Sequence, residues 1–94
     1  MNMIPRSPHY RMKLFNSWCF VWNARKDRRL LRERLRKMKR VLWLVGTRYS
    51  IDVSDVFALI DRLISRLEKP VYYHEYRDEL AQLKNMIEKL ISQL

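Results

Sequence analysis

Residues 76–94 read YRDELAQLKNMIEKLISQL, and the spacing of their apolar positions decides the fold. Tyr76, Leu80, Leu83, Ile87, Leu90 and Leu94 recur at alternating intervals of four and three. A helix turns about 100° per residue, so these six side chains share one stripe. A strand would divide them between its two faces. This segment is therefore expected to be an amphipathic helix with a heptad-like seam.

The same period recurs upstream. Val53, Val56, Phe57, Ile60, Ile64 and Leu67 form a second stripe, and Ala24, Leu31, Leu35, Met38, Leu42 and Val45 a third. Pro70 cannot continue a helix interior, and Gly46, the single glycine, is expected to end a helix in the left-handed conformation. Asp52 or Ser54 is expected to cap the helix that follows. Three helices are thus predicted, over about 24–45, 53–68 and 72–94, joined by short linkers. The chain contains no Asn-Gly or Asp-Gly pair of the kind tight hairpins need. The expected fold is all-α: a small antiparallel three-helix bundle over residues 24–94.

Residues 1–23 read as an aromatic and basic N-terminal arm. Phe15, Trp18, Cys19 and Trp22 match helical spacing, while Trp18, Phe20 and Trp22 also match strand alternation. Periodicity alone leaves a fourth short helix and an extended segment both open. An unbroken helix through Asn23 would put Phe15, Trp18 and Trp22 opposite Leu31, Leu35 and Met38. A break near Asn23 is therefore expected, with the arm docking by its aromatics.

Ninety-four residues make one domain, which buries only about 60–65% of its unfolded surface. At 48% apolar residues the composition is not that of a disordered chain. The one cysteine, Cys19, allows no internal disulfide and no cysteine-based metal knuckle, and a reducing, cytoplasmic setting is expected. No apolar run approaches the length of about 20 residues that spans a bilayer, and no export signal is read. The first 26 residues hold five bases and no acid, which faintly resembles an organelle transit peptide.

Charge is divided unevenly. Residues 1–48 carry 14 Lys/Arg against two acids, and residues 49–94 carry six against eight. The net charge of +10 thus belongs entirely to the first half. Ten bases fall within residues 25–40, opposed only by Asp27 and Glu33. Arg25, Arg29, Arg32, Arg36, Lys39 and Arg40 form a stripe away from the leucines, ending at Trp43. Like charges one turn apart repel, and an anionic partner would relieve that repulsion. Arginine, the more frequent base here, grips phosphate with a fork of donors.

Chemistry is not indicated. His9, Cys19 and His74 are scattered, so no metal or cofactor is expected, and one glycine cannot build a phosphate-cradling loop. A small helical bundle also leaves little room for a catalytic pocket. The expected function is non-enzymatic: a nucleic-acid-binding accessory or regulatory protein, with the basic stripe on phosphates and Trp43 as a stacking platform. The alternative is an inhibitor or adaptor that binds an acidic-surfaced protein through aromatic anchors, namely Trp18, Trp22, Tyr72, Tyr73 and Tyr76. A third possibility is an anionic membrane surface. The 76–94 seam outruns the helix before it, so a homodimer or a partner is expected to cover its end or the arm's aromatics.

Overall fold

A computed structural model describes residues 8–94. Four helices follow in order: α1 (Pro8–Asn23), α2 (Arg28–Tyr49), α3 (Ser54–Leu67) and α4 (Tyr73–Gln93). Helix accounts for 84% of the described residues, and there is no strand among them. The all-α expectation holds. Of the two forms left open for the arm, its residues 8–23 take the helical one, 16 residues long, so the described chain has four helices. Residues 1–7 of the expected arm lie outside the described residues.

Each helix packs against its sequence neighbours, and α4 closes the ring on α1. The contacts run antiparallel. Along α2, Arg28 reaches the carbonyl of Leu67 and Lys39 reaches Asp61. Phe20 meets Arg34, while Tyr10 meets Tyr49. The described residues form a rod of 51 × 21 × 19 Å.

The three apolar stripes become the core. Leu31, Leu35, Met38, Leu42 and Val45 of α2 are fully buried, as are Leu80, Leu83 and Ile87 of α4. Leu14, Trp18 and Val21 supply the contribution of α1 to the same cluster. The part of the α4 seam expected to be bare is covered within the chain, where α4 packs on α1 and α3: Leu90 is 6% and Leu94 7% exposed. An uncovered seam therefore gives no reason for a homodimer.

The first junction falls where the apolar stripe flips. α1 ends at Asn23, and Asp27 caps α2 by accepting from the Leu30 amide. Tyr76, buried in α4, donates its hydroxyl proton to the carbonyl of Arg25 and ties this turn to the far end of the chain. Burial pushes the Tyr76 hydroxyl pKa up, with Tyr73 and Asp27 adding to the shift.

The second junction differs from expectation. Gly46 does not end α2, which continues to Tyr49 and stops at Ser50 in the left-handed region at φ 52°. The Ser50 amide returns to the Gly46 carbonyl, as in a left-handed cap. Gly46 serves close approach instead. A Cβ there would lie 3.0 Å from Val53 Cγ2 and 3.1 Å from the Ile51 carbonyl oxygen. The α2–α3 turn folds back onto the last turns of α2, and a Cβ at position 46 would sit tightly against it. Asp52 accepts from the amide and hydroxyl of Ser54, which holds its carboxyl below the usual range. Thus Asp52 restrains the start of α3 from one residue before the cap position, Val53.

At the third junction Pro70 separates α3 from α4. The Tyr72 amide donates to the Glu75 carboxylate, and the Glu75 amide returns to the Tyr72 carbonyl. This reciprocal pair satisfies donors that a helix start leaves free.

Candidate nucleic-acid interface

α2 sits between α1 and α3, so only one side of it faces outward. Its buried leucines fix that geometry. Relative to Leu31, Arg29, Arg36 and Arg40 lie about 140–180° around the helix, and Arg32 and Trp43 about 100–120°. The structure brings these five residues onto one face. Arg29, Arg36 and Arg40 are exposed, Arg32 is half-buried, and Trp43 is 60% exposed. From Arg29 to Trp43 this face runs for about 21 Å along the helix axis.

Two members of the expected stripe are placed differently. Arg25 precedes α2, lies in the turn after α1, donates to the Trp22 carbonyl at 3.1 Å and stands over the Trp22 ring. Lys39 points along the α2–α3 seam, where it pairs with Asp61 and stands over Phe57. Arg36 reaches Glu68 at only 3.7 Å, with both side chains more than half exposed. Such a pair contributes little. Arg29, Arg32 and Arg40 form no ion pair among the described residues, nor does any ring or carbonyl accept them.

Other bases of α2 are held structurally. Arg28 donates to the Leu67 carbonyl at 2.7 Å and so satisfies a free acceptor at the C-terminus of α3. Arg34 lies 3.6 Å from the centre of the Phe20 ring and donates to the Phe20 carbonyl. Lys37 pairs with Glu33 one turn before it. The ten bases thus divide into those engaged by a carbonyl, ring or carboxylate and a smaller set free on the outward face.

The aromatic anchors also divide. Trp18 is 5% and Tyr76 1% exposed, so both belong to the core and neither is available to a partner. Trp22 is half-buried beneath Arg25 and Lys84. Tyr73 is half-buried, with Lys26 over its ring. Tyr72 alone of the five is open, at 75% exposed and stacked on His74.

Sequence reasoning took the arm's aromatics as one docking set and did not separate the outward side of α1, where Met12, Phe15 and Phe20 are 57%, 48% and 48% exposed, from the buried Trp18. The signal was present: apolar residues occur all the way around residues 8–23, which one buried stripe does not explain. Nor did it find a second group of bases, Arg62, Arg66 and Lys69, which line a surface concavity at the end of α3 with Ser65 and Val71.

Among the described residues no three potential ligands cluster as a metal site would require, and no helix is long and apolar enough to cross a membrane. Compared with protein families, curated proteins and solved structures, the chain matches none.

Proposed function

We propose that the protein binds nucleic acid without catalysis, in an accessory or regulatory role, through the outward face of α2. One observation carries this reading: Arg29, Arg32 and Arg40 are unpaired beside the exposed Trp43, while their neighbours are engaged in holding the bundle together. Unpaired arginines along a helix repel one another, and phosphate oxygens are the anions their forked donors fit. Trp43 offers a flat ring at the end of the row, where an unpaired base would stack. Phosphate contacts carry little sequence information, so binding is expected to be nearly indifferent to sequence.

Each neutralised phosphate of duplex DNA steepens the logarithmic salt dependence by about 0.9. With Arg29, Arg32, Arg36 and Arg40 engaged, the slope should be about −3 to −4. Replacing Arg29 and Arg40 together by Gln should flatten it by about two units and weaken all sequences alike. Lys39→Gln should change it far less, because Lys39 is already engaged with Asp61. Trp43→Ala should weaken single strands more than duplex. Fluorescence anisotropy over a salt series measures all of these. Absence of binding to both duplex and single strand at about 50 mM salt would overturn the reading.

A further inference from the structure

α1 presents a second surface, independent of the α2 face. Its inward residues Leu14, Trp18 and Val21 are core. Its outward residues should then be polar, as on any helix with one buried face. They include Met12, Phe15 and Phe20, all exposed, and the half-buried Cys19, set among His9, Lys13, Asn16 and Asn23. Phe15 leans toward α4, where it lines an apolar groove of about 290 Å³ with Trp18, Cys19, Trp22 and Ile91. Phe20 lies on the opposite flank against Arg34 of α2. The two rings project about 140° apart, and Met12 and Cys19 share the crest between them with His9, Asn16 and Asn23.

The charge around this ridge is positive. α1 contains no acid, and Arg11 and Lys13 stand exposed on it. Arg34 lies over Phe20, and Arg25 and Lys84 lie over Trp22. Glu88 is the one carboxylate among the groove's lining residues. We propose that this ridge docks on an anionic lipid surface, α1 lying in the plane of the interface with Phe15, Phe20 and Met12 among the acyl chains.

Charge and shape select that occupant. A second copy would set one basic rim against another. A protein segment laid in the α1–α4 groove would cover Phe15 and Trp22 but leave Phe20 wet on the far flank. A bilayer interface has no walls, so it covers both flanks and the crest of a convex helix. Cations standing over aromatic rings meet anionic headgroups at the depth where such rings settle. Each base near the surface adds to the attraction, and each fades with salt.

The full chain, labelled with a nitroxide at Cys19, its one thiol, is mixed with vesicles of phosphatidylcholine and phosphatidylserine, and with phosphatidylcholine alone. The chain should sediment with the anionic vesicles, and the label should become more accessible to oxygen than to a water-soluble nickel complex. Phe15→Ser with Phe20→Ser should reduce binding roughly tenfold or more. Both rings are half-exposed, so helical circular dichroism should be retained. If that pair of substitutions fails to fold, the label's accessibility in the chain with both rings decides alone. No sedimentation with anionic vesicles overturns the proposal. So does a label that stays in water, or binding abolished by Arg29→Gln with Arg40→Gln but untouched by the Phe pair. Label immobilisation on dimerisation without vesicles would assign the ridge to self-association and also overturn it. None of these outcomes depends on whether α2 binds nucleic acid.

Discussion

Three residues hold the turns, each by a different physical means. At Gly46 the usual helix preference is reversed by packing. Alanine in a helix interior is favoured over glycine by about 1 kcal/mol, yet here its Cβ would meet a side chain and a carbonyl oxygen at 3.0 and 3.1 Å. That carbonyl belongs to Ile51, whose own amide is tied to the Gly46 carbonyl, so it cannot easily yield. Gly46→Ala is expected to lower the melting temperature, with a net cost of about 1 kcal/mol. At Ser50 the opposite holds. A left-handed φ of 52° crowds the Cβ of an L residue, which glycine lacks, so Ser50→Gly should stabilise by up to about 1 kcal/mol and raise the midpoint by a few degrees. Tyr76 supplies a pH dependence. Its hydroxyl pKa is raised in the folded chain, chiefly by burial. A raised value means the contribution is complete below the unfolded pKa of about 10 and is lost as pH rises through the folded value. Tyr76→Phe should lose about 1 kcal/mol at neutral pH through the missing bond to the Arg25 carbonyl. It should also show a shallower alkaline loss than the unsubstituted chain, measured by denaturant titration between neutral pH and pH of about 11.

Among the elements, α2 is electrostatically strained. Its first turn contains Arg28 and Arg29 and no acid, at the end where the helix dipole is positive. Arg29, Arg32, Arg36 and Arg40 then follow at intervals of three and four with only Glu68 opposite any of them. Salt should therefore stabilise the free protein. Raising ionic strength from about 50 to about 500 mM should raise the melting temperature, because screening weakens the repulsion more than it weakens exposed ion pairs. A fall in melting temperature over that range would mean that the pairs Lys39–Asp61 and Arg66–Glu79 outweigh the repulsion. The strain was legible in the sequence as a run of bases. Its division was not, because which arginine reaches a carbonyl or a ring depends on the neighbouring helix. Arg28 and Arg29 are adjacent in sequence, but one is fastened to Leu67 of α3 and the other faces outward.

For the whole molecule, the question is what covers each apolar face. The seam of α4 is closed by the same chain, since Tyr76, Leu80, Leu83, Ile87, Leu90 and Leu94 are all buried. No stripe is left for a second copy to complete, and the net charge of +10 opposes self-association. Light scattering on the free protein should give the mass of one chain, 11.7 kDa, at low salt. A stable dimer there would require an interface through α1 that withstands the repulsion of its basic rim.

The helices themselves were determined by local sequence. Apolar spacing of three and four fixed α3 and α4 to within a residue or two, and the flip of the stripe at Asn23 located the first turn. These features follow from backbone geometry, which repeats every few residues regardless of what lies across the bundle. Tertiary structure decided the rest. Residues 8–23 were ambiguous because short aromatic runs fit both periods, and docking against α2 and α4 made them a helix. Gly46 resembled a terminator, and only the approach of Val53 and Ile51 shows why glycine stands inside α2. Trp18 and Trp22 were equivalent as sequence, yet one is core and the other lies half-buried under two cations. Periodicity records that a side chain is apolar and which way it leaves its own helix. Whether it meets another helix or solvent depends on residues distant in the chain, and that is settled only when four helices share one core.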